Sequence, residues 1–252
     1  MMTLYFIGIG LNDEKDITVK GLEIIKKCKY VYLESYTSIL QVPVSVLEEF
    51  YGKRVILADR AMVERRANDI IIDAKEHDVA FLVIGDIFGA TTHTDMVLRA
   101  KSYGIKCEFI HNASIINAIG VVGLELYKFG KTTSIPFPEK GFKPETYYDV
   151  LKMNKEMGLH TLILLDLKLQ EQRFITVNLG IKYLLEINAS RGDDVFNENT
   201  MVVGCARIGG NFHIKYGKAK DLLNHDFGKP LHCIIVPGKL HFIEEEALKQ
   251  WE

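Results

Sequence analysis

The stretch VAFLVIGDIFGATTH, residues 79–93, sets the fold class of this chain. Its first part, VAFLVI, has the length and the apolar composition of a buried strand. Glycines, a carboxylate and hydroxyls follow directly, and DMVLRAKSYG then shows the period of a helix. A buried strand that leads through a turn into a helix is typical of βαβ units in a parallel sheet. The turn also occupies the place where open α/β sheets bind ligands, beyond the carboxyl end of a strand.

The same alternation of strand and helix extends through the first half of the chain. Strands are predicted at LYFIGIG (4–10), KYVYLES (29–35) and KCEFIH (106–111), with helical segments between them. In the second half, the strand candidates MVVGCAR, FHIKYG and LHCIIVPG follow one another without long helices, which favours a mixed sheet. We therefore predict an α/β fold of two domains, 1–112 and 113–252, with a mainly parallel first sheet and a mixed second sheet.

The composition excludes several classes of protein. Hydrophobic residues make up 48% of the 252 residues and charged residues 25%, as in an ordinary globular protein. The formal charge of −2 provides no cationic field for nucleic acid, so no direct nucleic-acid partner is predicted. No apolar run approaches the roughly 20 residues of a membrane span, so no membrane partner is predicted. The scattered cysteines form no C-x-x-C pair and suit a reducing compartment, so we predict a cytoplasmic location.

Metal and nucleophile signatures are missing from the sequence. The histidines considered show neither H-x-H nor H-E-x-x-H spacing: His93, His111, His160, His213, His232 and His241. No G-x-S-x-G elbow indicates acyl transfer, and no cysteine has the surroundings of a nucleophile. No metal site is predicted. A pocket of backbone, small residues and apolar side chains remains, which suits a bulky cofactor that brings its own reactivity.

Several strand ends carry candidate ligand-binding residues. Gly8 and Gly10 form a G-x-G after the first strand, but Asp13 replaces the third glycine of the dinucleotide fingerprint. A non-catalytic or oxidoreductase α/β domain that only binds a nucleotide stays open as one interpretation, supported by the G-x-G alone. Asp86 is able either to bind ribose hydroxyls or an ammonium group, or to close an Asx turn. Gly89 permits close approach of a ligand to the backbone.

Two further segments have simpler structural interpretations. Thr92 and Asp95 resemble a capping box, and His93 is expected to be exposed in the first turn of the following helix. Ser114 in HNASI is expected to act as an N-cap.

A family resemblance covers almost the whole chain. It is carried by LYFIGIGL, YVYLESYTSIL, GDIFGATTH, HNASI, GLELYKFGKT, HTLILLDLK and PGKLHF. With these motifs the chain resembles the diphthine synthases, a family in the tetrapyrrole-methylase-like branch of S-adenosylmethionine methyltransferases. The first glycine-containing strand and the GD turn are shared with the ring methylases of that branch, which typically have proline where this chain has Ile87.

The resemblance implies S-adenosylmethionine as the cofactor, in a cleft between the two domains, and a homodimer. It also implies which residues contact the cofactor, namely Leu11, Asp86, Gly89, Ser114, Ile115, Leu165, Ile208 and His232. All of them except Ile115 lie at strand ends or turns that the sequence pattern alone already indicates.

The substrate implied by the resemblance is the translation elongation factor whose histidine carries a 3-amino-3-carboxypropyl group. Methyl groups would go onto the amino nitrogen, and the resemblance leaves open their number and whether a carboxyl is methylated too. No residue is identified as the catalytic base. Lys168, Arg173 and Arg207 are candidates for gripping the substrate carboxylate. Methylation of a porphyrinoid or another small ring compound stays open as an alternative.

Overall fold

The computed structural model describes residues 2–64, 68–91, 93–139, 141 and 143–252. Its contacts divide the chain into two compact units, Met1–Ala118 and Ile119–Glu252.

The division between the units falls after Ala118, whereas the sequence analysis placed it after residue 112. The intervening segment is tied to the first unit. The side-chain amide of Asn112 donates hydrogen bonds to the carbonyls of Gly8 at 3.0 Å and Asp16 at 2.9 Å. Ser114 lies directly against Gly89.

The first unit is built on a five-stranded sheet in which every pair of strands is parallel. The strand order is β3-β2-β4-β1-β5. The central strand β4 is buried along its whole length, as a strand with helices on both faces requires. The strands are β1 (Thr3–Gly8), β2 (Tyr30–Glu34), β3 (Ile56–Ala58), β4 (Val79–Val83) and β5 (Lys106–Ile110). The helices are α1 (Val19–Lys27), α2 (Val44–Tyr51), α3 (Arg60–Glu64), α4 (Asn68–Glu76), α5 (Thr94–Ser102) and α6 (Ile115–Ala118).

The second unit is built on a five-stranded mixed sheet with the order β11-β10-β12-β7-β6. The pair β6–β7 is parallel, and the other neighbours in this sheet are antiparallel. The strands are β6 (Thr133–Ile135), β7 (Thr161–Leu165), the short pair β8 (Leu167–Lys168) and β9 (Arg173–Phe174), β10 (Met201–Ala206), β11 (His213–Lys218) and β12 (His232–Val236). The helices are α7 (Thr146–Glu156), α8 (Val177–Arg191), α9 (Ala219–Leu222) and α10 (Phe242–Lys249). The prediction of a parallel first sheet and a mixed second sheet is confirmed.

The four cysteines are all free thiols. Cys28, Cys205 and Cys233 are buried, and Cys107 is half-buried. Cys205 on β10 and Cys233 on β12 lie directly opposite each other in the sheet. Across the part of the chain that the structure covers, no helix is both long enough and apolar enough to cross a bilayer.

A buried carboxylate joins four segments of the second unit. Glu244 on α10 is fully buried and accepts hydrogen bonds from the backbone amides of Glu125 at 2.9 Å and His241 at 2.8 Å. It also pairs with the ammonium group of Lys128 and with Nε2 of His160, the latter at 2.9 Å. Burial acts to raise the pKa of Glu244, but Lys128 and the two amides outweigh it and lower the pKa to about 2.

The hydrogen bonds of His160 determine its tautomer. Its Nδ1 accepts from the amide of Gly238 at 2.9 Å, so the ring proton sits on Nε2 and is donated to Glu244. Burial lowers the pKa of His160 and keeps the ring neutral, although Glu244 acts in the opposite direction. Lys128 is therefore the cation that balances the Glu244 carboxylate.

Replacing Glu244 by Gln should lower the free energy of unfolding by about 3 kcal/mol, because Lys128 loses its buried counter-charge. The native pKa of Glu244 lies below its value in the unfolded chain, so its stabilisation is complete above about pH 4.5 and is lost as the pH falls towards about 2. The difference between wild type and E244Q in urea unfolding should therefore narrow below pH 4.5. E246Q, at an exposed position on the same helix, is the matched control. Equal effects of the two substitutions would contradict this role.

Candidate functional site

Glycines bring the carboxyl ends of β1 and β4 into close contact. Gly10 and Gly85 exchange two backbone hydrogen bonds of 3.3 and 2.7 Å. Both have positive φ, 80° and 83°, a conformation that side chains disfavour. A Cβ on Gly8 would lie 2.6 Å from the carbonyl oxygen of Gly85, and a Cβ on Gly10 would lie 2.3 Å from Cβ of Asp16. The ends of β1 and β4 can therefore approach each other this closely only because these positions carry no side chain.

The carboxylate of Asp86, which follows Gly85, already has hydrogen-bond partners within the first unit. One oxygen accepts the amide of Phe88 at 3.0 Å, which is the Asx turn considered from the sequence. The other accepts the amide of Asn112 at 3.0 Å and lies 2.9 Å from Nδ1 of His111. Burial acts to raise the pKa of Asp86, but these hydrogen bonds outweigh it and lower the pKa, so the group is anionic at neutral pH. A carboxylate offers about four lone-pair positions, which leaves one for a ligand.

Gly89 faces Ser114 rather than open space. A Cβ built on Gly89 would lie 2.6 Å from both Cβ and Oγ of Ser114. Ser114 is buried, and its hydroxyl accepts the amide of Ile116 at 3.2 Å, which confirms its expected N-cap role. The absence of a side chain at position 89 thus allows the start of α6 to approach the turn after β4.

The predicted cofactor contacts of the first unit gather at this edge of the sheet. Leu11 is half-buried, and its amide donates to Asp16 at 3.1 Å. A Cβ built on Gly85 would lie 3.6 Å from the side chain of Leu11. Ile115 is half-buried and begins α6 directly after Ser114. The members of this cluster are Leu11, Asp86, Gly89, Ser114 and Ile115.

The remaining predicted contacts gather at one edge of the second sheet. Leu165 ends β7, and its neighbour Leu164 pairs with Cys233 of β12. His232, the first residue of β12, pairs with Ala206 at the end of β10. Ile208 follows in the turn after β10 and, like Leu165 and His232, is buried. The cluster of the second unit therefore consists of Leu165, Ile208 and His232.

Both ring nitrogens of His232 bind backbone groups. Nδ1 accepts the amide of Val177, the first residue of α8, at 3.3 Å. Nε2 therefore carries the proton and donates to the carbonyls of Gly228 at 3.2 Å and Lys229 at 3.1 Å. Burial lowers the pKa of His232, although the two carbonyls act in the opposite direction. His232 thus fixes the start of a helix and the segment before its own strand.

The three cations proposed to grip a carboxylate are in different surroundings. Lys168 and Arg173 both lie over the ring of Phe137, at 5.7 and 4.6 Å from its centre. Arg173 also pairs with Glu171 at 2.9 Å. The guanidinium of Arg207 instead donates to backbone carbonyls, including that of Phe227 at 2.9 Å. Arg207 therefore supports the backbone, and only Lys168 and Arg173 lie together.

The expectation that His93 is exposed is wrong. The residue retains 2% of its accessible surface, and its ring packs edge-to-face on Phe81 at 5.4 Å between centres. Neither ring nitrogen has a hydrogen-bond partner among the described residues. Burial lowers the pKa of His93 to about 4. Thr92, the first residue of the proposed capping box, lies outside the described residues.

Metal chemistry has no obvious centre in the described parts of either unit. Within residues 2–64, 68–91, 93–139, 141 and 143–252, no group of three or more His, Cys, Asp or Glu side chains is placed to hold a metal ion. The two clusters at the sheet edges consist mostly of backbone, apolar side chains and small residues. Such surroundings bind and orient a reactive cofactor instead of supplying a nucleophile.

The comparisons with known proteins agree with this description. The family model of the tetrapyrrole (corrin/porphyrin) methylases matches residues 3–209. The chain therefore belongs to the tetrapyrrole methylase family.

Within that family the chain is similar to diphthine synthases from end to end. It is 48% identical to a probable diphthine methyl ester synthase of Arabidopsis thaliana, over 98% of this chain and 97% of the relative. It is also 48% identical to a diphthine synthase of Methanocaldococcus jannaschii, with the same two coverages. A crystal structure of a protein assigned as a diphthine synthase in Entamoeba histolytica superposes with a TM-score of 0.92 at 47% identity, covering 100% of this chain and 98% of that one. This chain is a methyltransferase of the diphthine synthase group, and its methyl donor is S-adenosylmethionine.

Adding a methyl group at position 89 should weaken cofactor binding through Ser114. G89A forces Ser114 out of its place, and overpacking of this kind costs about 1–3 kcal/mol of folding stability. Because Ser114 is a predicted cofactor contact, its displacement should lower the affinity about tenfold, which corresponds to about 1.4 kcal/mol of binding free energy. The measurement is calorimetric titration with S-adenosylhomocysteine. The double variant G89A/S114G should regain the folding stability lost in G89A, because the clash is removed, but not the contact that Ser114 itself makes with the cofactor.

The matched control for G89A is G120A, whose Cβ would make ordinary contact with Leu126 at 3.5 Å. Equal affinities for G89A and wild type would show that the Gly89–Ser114 contact does not shape the binding site.

Replacing His93 by Leu should remove a pH-dependent loss of stability. The native pKa of His93 lies below its pKa in the unfolded chain. Above about pH 6.5 the ring is neutral in both states, so His93 costs the native chain no stability there. As the pH falls towards about 4, the unfolded chain takes up a proton that the native site rejects, which costs about 1.4 kcal/mol per pH unit. Chemical denaturation between these pH values should show a shallower slope for H93L. H77L, at a half-buried position, should keep the wild-type slope.

Proposed function

We propose that this protein methylates the amino group of the 3-amino-3-carboxypropyl side chain on a histidine of translation elongation factor. The observation that carries the proposal is the 45–48% identity to diphthine synthases and diphthine methyl ester synthases over 97–98% of the chain. These relatives come from archaea, plants, fungi and animals. None of these relatives is named for a porphyrinoid substrate, so the ring-methylase alternative is not favoured.

The residues of the first cluster fit the methyl donor. S-adenosylmethionine supplies an activated methyl group on a positively charged sulfur. Asp86 is anionic at neutral pH, half-buried and able to accept one more hydrogen bond, which suits a cationic or hydroxyl-bearing ligand. The side chain of Leu11 and the backbone of Ala113 and Ser114 pack around Gly85, within 3.6 to 3.8 Å of where its Cβ would be, and form one wall of this surface. In our proposal Leu11, Gly89, Ser114 and Ile115 complete this surface.

The residues of the second cluster supply apolar walls and fixed backbone. Leu165 and Ile208 are buried aliphatic side chains that exclude water, and His232 holds the adjoining backbone through both ring nitrogens. Positioning and removal of water account for most of the acceleration that a methyl transfer needs, because the leaving group is already activated. The chain therefore does not require a strong acid–base pair.

The acceptor amine must be neutral before it attacks. Lys168 and Arg173 lie together at Phe137 and are the cations that we propose to hold the substrate carboxylate. Glu171 pairs with both cations, at 2.9 Å from Arg173 and 3.9 Å from Lys168, so the substrate carboxylate would compete with Glu171 for them. Water is the proposed acceptor of the ammonium proton. Arg207 is left out of this role because its guanidinium is occupied by carbonyls.

The extent of methylation is the finer part of the proposal. The plant relative is named a methyl ester synthase and the archaeal relative a diphthine synthase, yet both are 48% identical to this chain. The stretches GDIFGATTHTD and HNASI favour the eukaryotic type. We therefore infer that a carboxyl group is esterified after the amine. We further infer, from the family resemblance, a homodimer that works in the cytoplasm.

The deciding experiment is intact mass spectrometry of the elongation factor that carries the unmethylated precursor, after incubation with this protein and S-adenosylmethionine. We expect successive increments of one methyl group, and a last increment that mild base removes if an ester has formed. K168A/R173A should raise the KM for the elongation factor with little effect on cofactor binding.

The control is the same factor with the precursor histidine unmodified, which should gain no mass. If S-adenosylhomocysteine binds but the precursor gains no methyl group, the proposed substrate is wrong. If every increment survives base, the inference of an ester is wrong while the amine methyltransferase stands.

A further inference from the structure

Two histidines of the second unit face each other outside the sites described above. Nε2 of His213, the first residue of β11, lies 2.7 Å from Nε2 of His225, in the segment after α9. The two ring planes are within 9° of each other, and the ring centres are 5.0 Å apart. The ring centres are farther apart than the two Nε2 atoms, so the rings point their Nε2 atoms at each other and do not lie face to face. One nitrogen must donate a proton and the other must accept it, so the pair has room for a single proton between its rings.

The His225 side of the pair belongs to a segment whose backbone is held by side chains from other elements. This segment, residues 223–231, links α9 to β12 and is called the linking segment below. The side-chain amide of Asn178 on α8 donates to the carbonyls of Leu222, Leu223 and His225 at 2.8 to 3.0 Å. The ring of Phe227 packs against His225 at 4.8 Å between centres and fills the space over Gly204 of β10.

The other end of the linking segment orients the second cluster. Nη1 of Arg207 donates to the carbonyls of Phe227 at 2.9 Å and Lys229 at 2.5 Å. Nε2 of His232 donates to the carbonyls of Gly228 and Lys229. Arg207 directly precedes Ile208, and it has a positive φ of 52°, which only a firm set of contacts maintains. Movement of these carbonyls would therefore displace both Ile208 and His232.

The charges around the pair disfavour a second proton. His225 is faced by His213 and Lys215 from β11, and by Asp226 from its own segment. The element α8 contributes the neutral Asn178, and β10 contributes the neutral backbone of Ala206, opposite His213. Burial, His213 and Lys215 together lower the pKa of His225, with Asp226 acting in the opposite direction. Two imidazolium rings at 2.7 Å would lose their hydrogen bond and repel each other.

We propose that His213 and His225 form a proton-sensitive clamp that positions the cofactor edge made by Ile208 and His232. The neutral pair and the singly protonated pair both keep one proton between the two Nε2 atoms, so in both the clamp is closed and the linking segment holds Arg207 and His232 in place. When both rings are imidazolium the rings separate, the carbonyls of the segment shift, and affinity for the cofactor falls. The effect on cofactor binding rests on the proposed function of Ile208 and His232, whereas the opening of the clamp does not.

The test uses H225Q, whose side-chain amide can still hydrogen bond to His213 but cannot take a second proton. S-adenosylhomocysteine affinity is measured by calorimetry between about pH 7.5 and about pH 4.5, because the second proton binds the pair only below the ordinary pKa of histidine. Wild type should lose about tenfold in affinity over this range, a typical coupling between two ligands. H225Q should lose less than about twofold. H77Q, in the first unit, is the matched control and should follow wild type.

A second measurement follows the linking segment without any ligand. Amide hydrogen exchange of residues 226–229, corrected for the intrinsic effect of pH, should rise on acidification in wild type but not in H225Q. H213Q provides a second variant with the same expectation if H225Q folds poorly. Exchange that changes equally in wild type and H225Q would overturn the clamp.

The two measurements separate the possible failures. If the cofactor product does not bind at any pH while exchange behaves as expected, the clamp stands and the proposed function fails. If H225Q loses affinity on acidification as wild type does, the pair does not position the cofactor edge, and His232 or another group is responsible.

Discussion

The first unit depends on the contact between two bare backbones, where Gly10 and Gly85 exchange hydrogen bonds of 3.3 and 2.7 Å. A Cβ at position 8 or 10 would overlap atoms less than 2.7 Å away, so the contact tolerates no side chain. Because it joins the ends of β1 and β4, it determines where Leu11 and Asp86 leave the sheet. Asp86 then ties down the amide of Asn112, and with it the start of α6. The glycine contact thus fixes Leu11 and Asp86, and Asp86 in turn fixes the start of α6.

In the second unit, side chains instead of bare backbone hold the residues of the cluster in position. His232 binds the start of α8 and the carbonyls of the linking segment, and Arg207 binds further carbonyls of that segment. Glu244 joins segments that are far apart in sequence, from Glu125 to Gly238 through His160. Polar groups buried in this way are stable only when all their partners are present. Loss of one such side chain therefore leaves buried polar groups of the second unit without partners.

Much of the fold could be predicted from the sequence, because buried strands and amphipathic helices leave periodic patterns. VAFLVI was recognised as a strand and HNAS as a turn with a capping serine, and the structure has both. Helix α10 was not predicted, although His241 and Glu244 form a capping box that would have indicated its start. The missed sign was subtle, because His is an uncommon N-cap.

The interactions that the sequence could not supply are those between residues far apart in the chain. His93 was expected at the surface because its neighbours are polar, but Phe81 of β4 covers it. Arg207 was considered a carboxylate ligand, and His225 was not considered at all, since their partners lie up to 22 residues away.

The thiols show a further consequence of such packing. Cys28, Cys205 and Cys233 are buried, and burial raises the pKa values of Cys28 and Cys205, so the native chain exposes part of Cys107 alone. The rate at which the other three thiols react with a labelling reagent would therefore report how often each sheet opens, without any engineered probe.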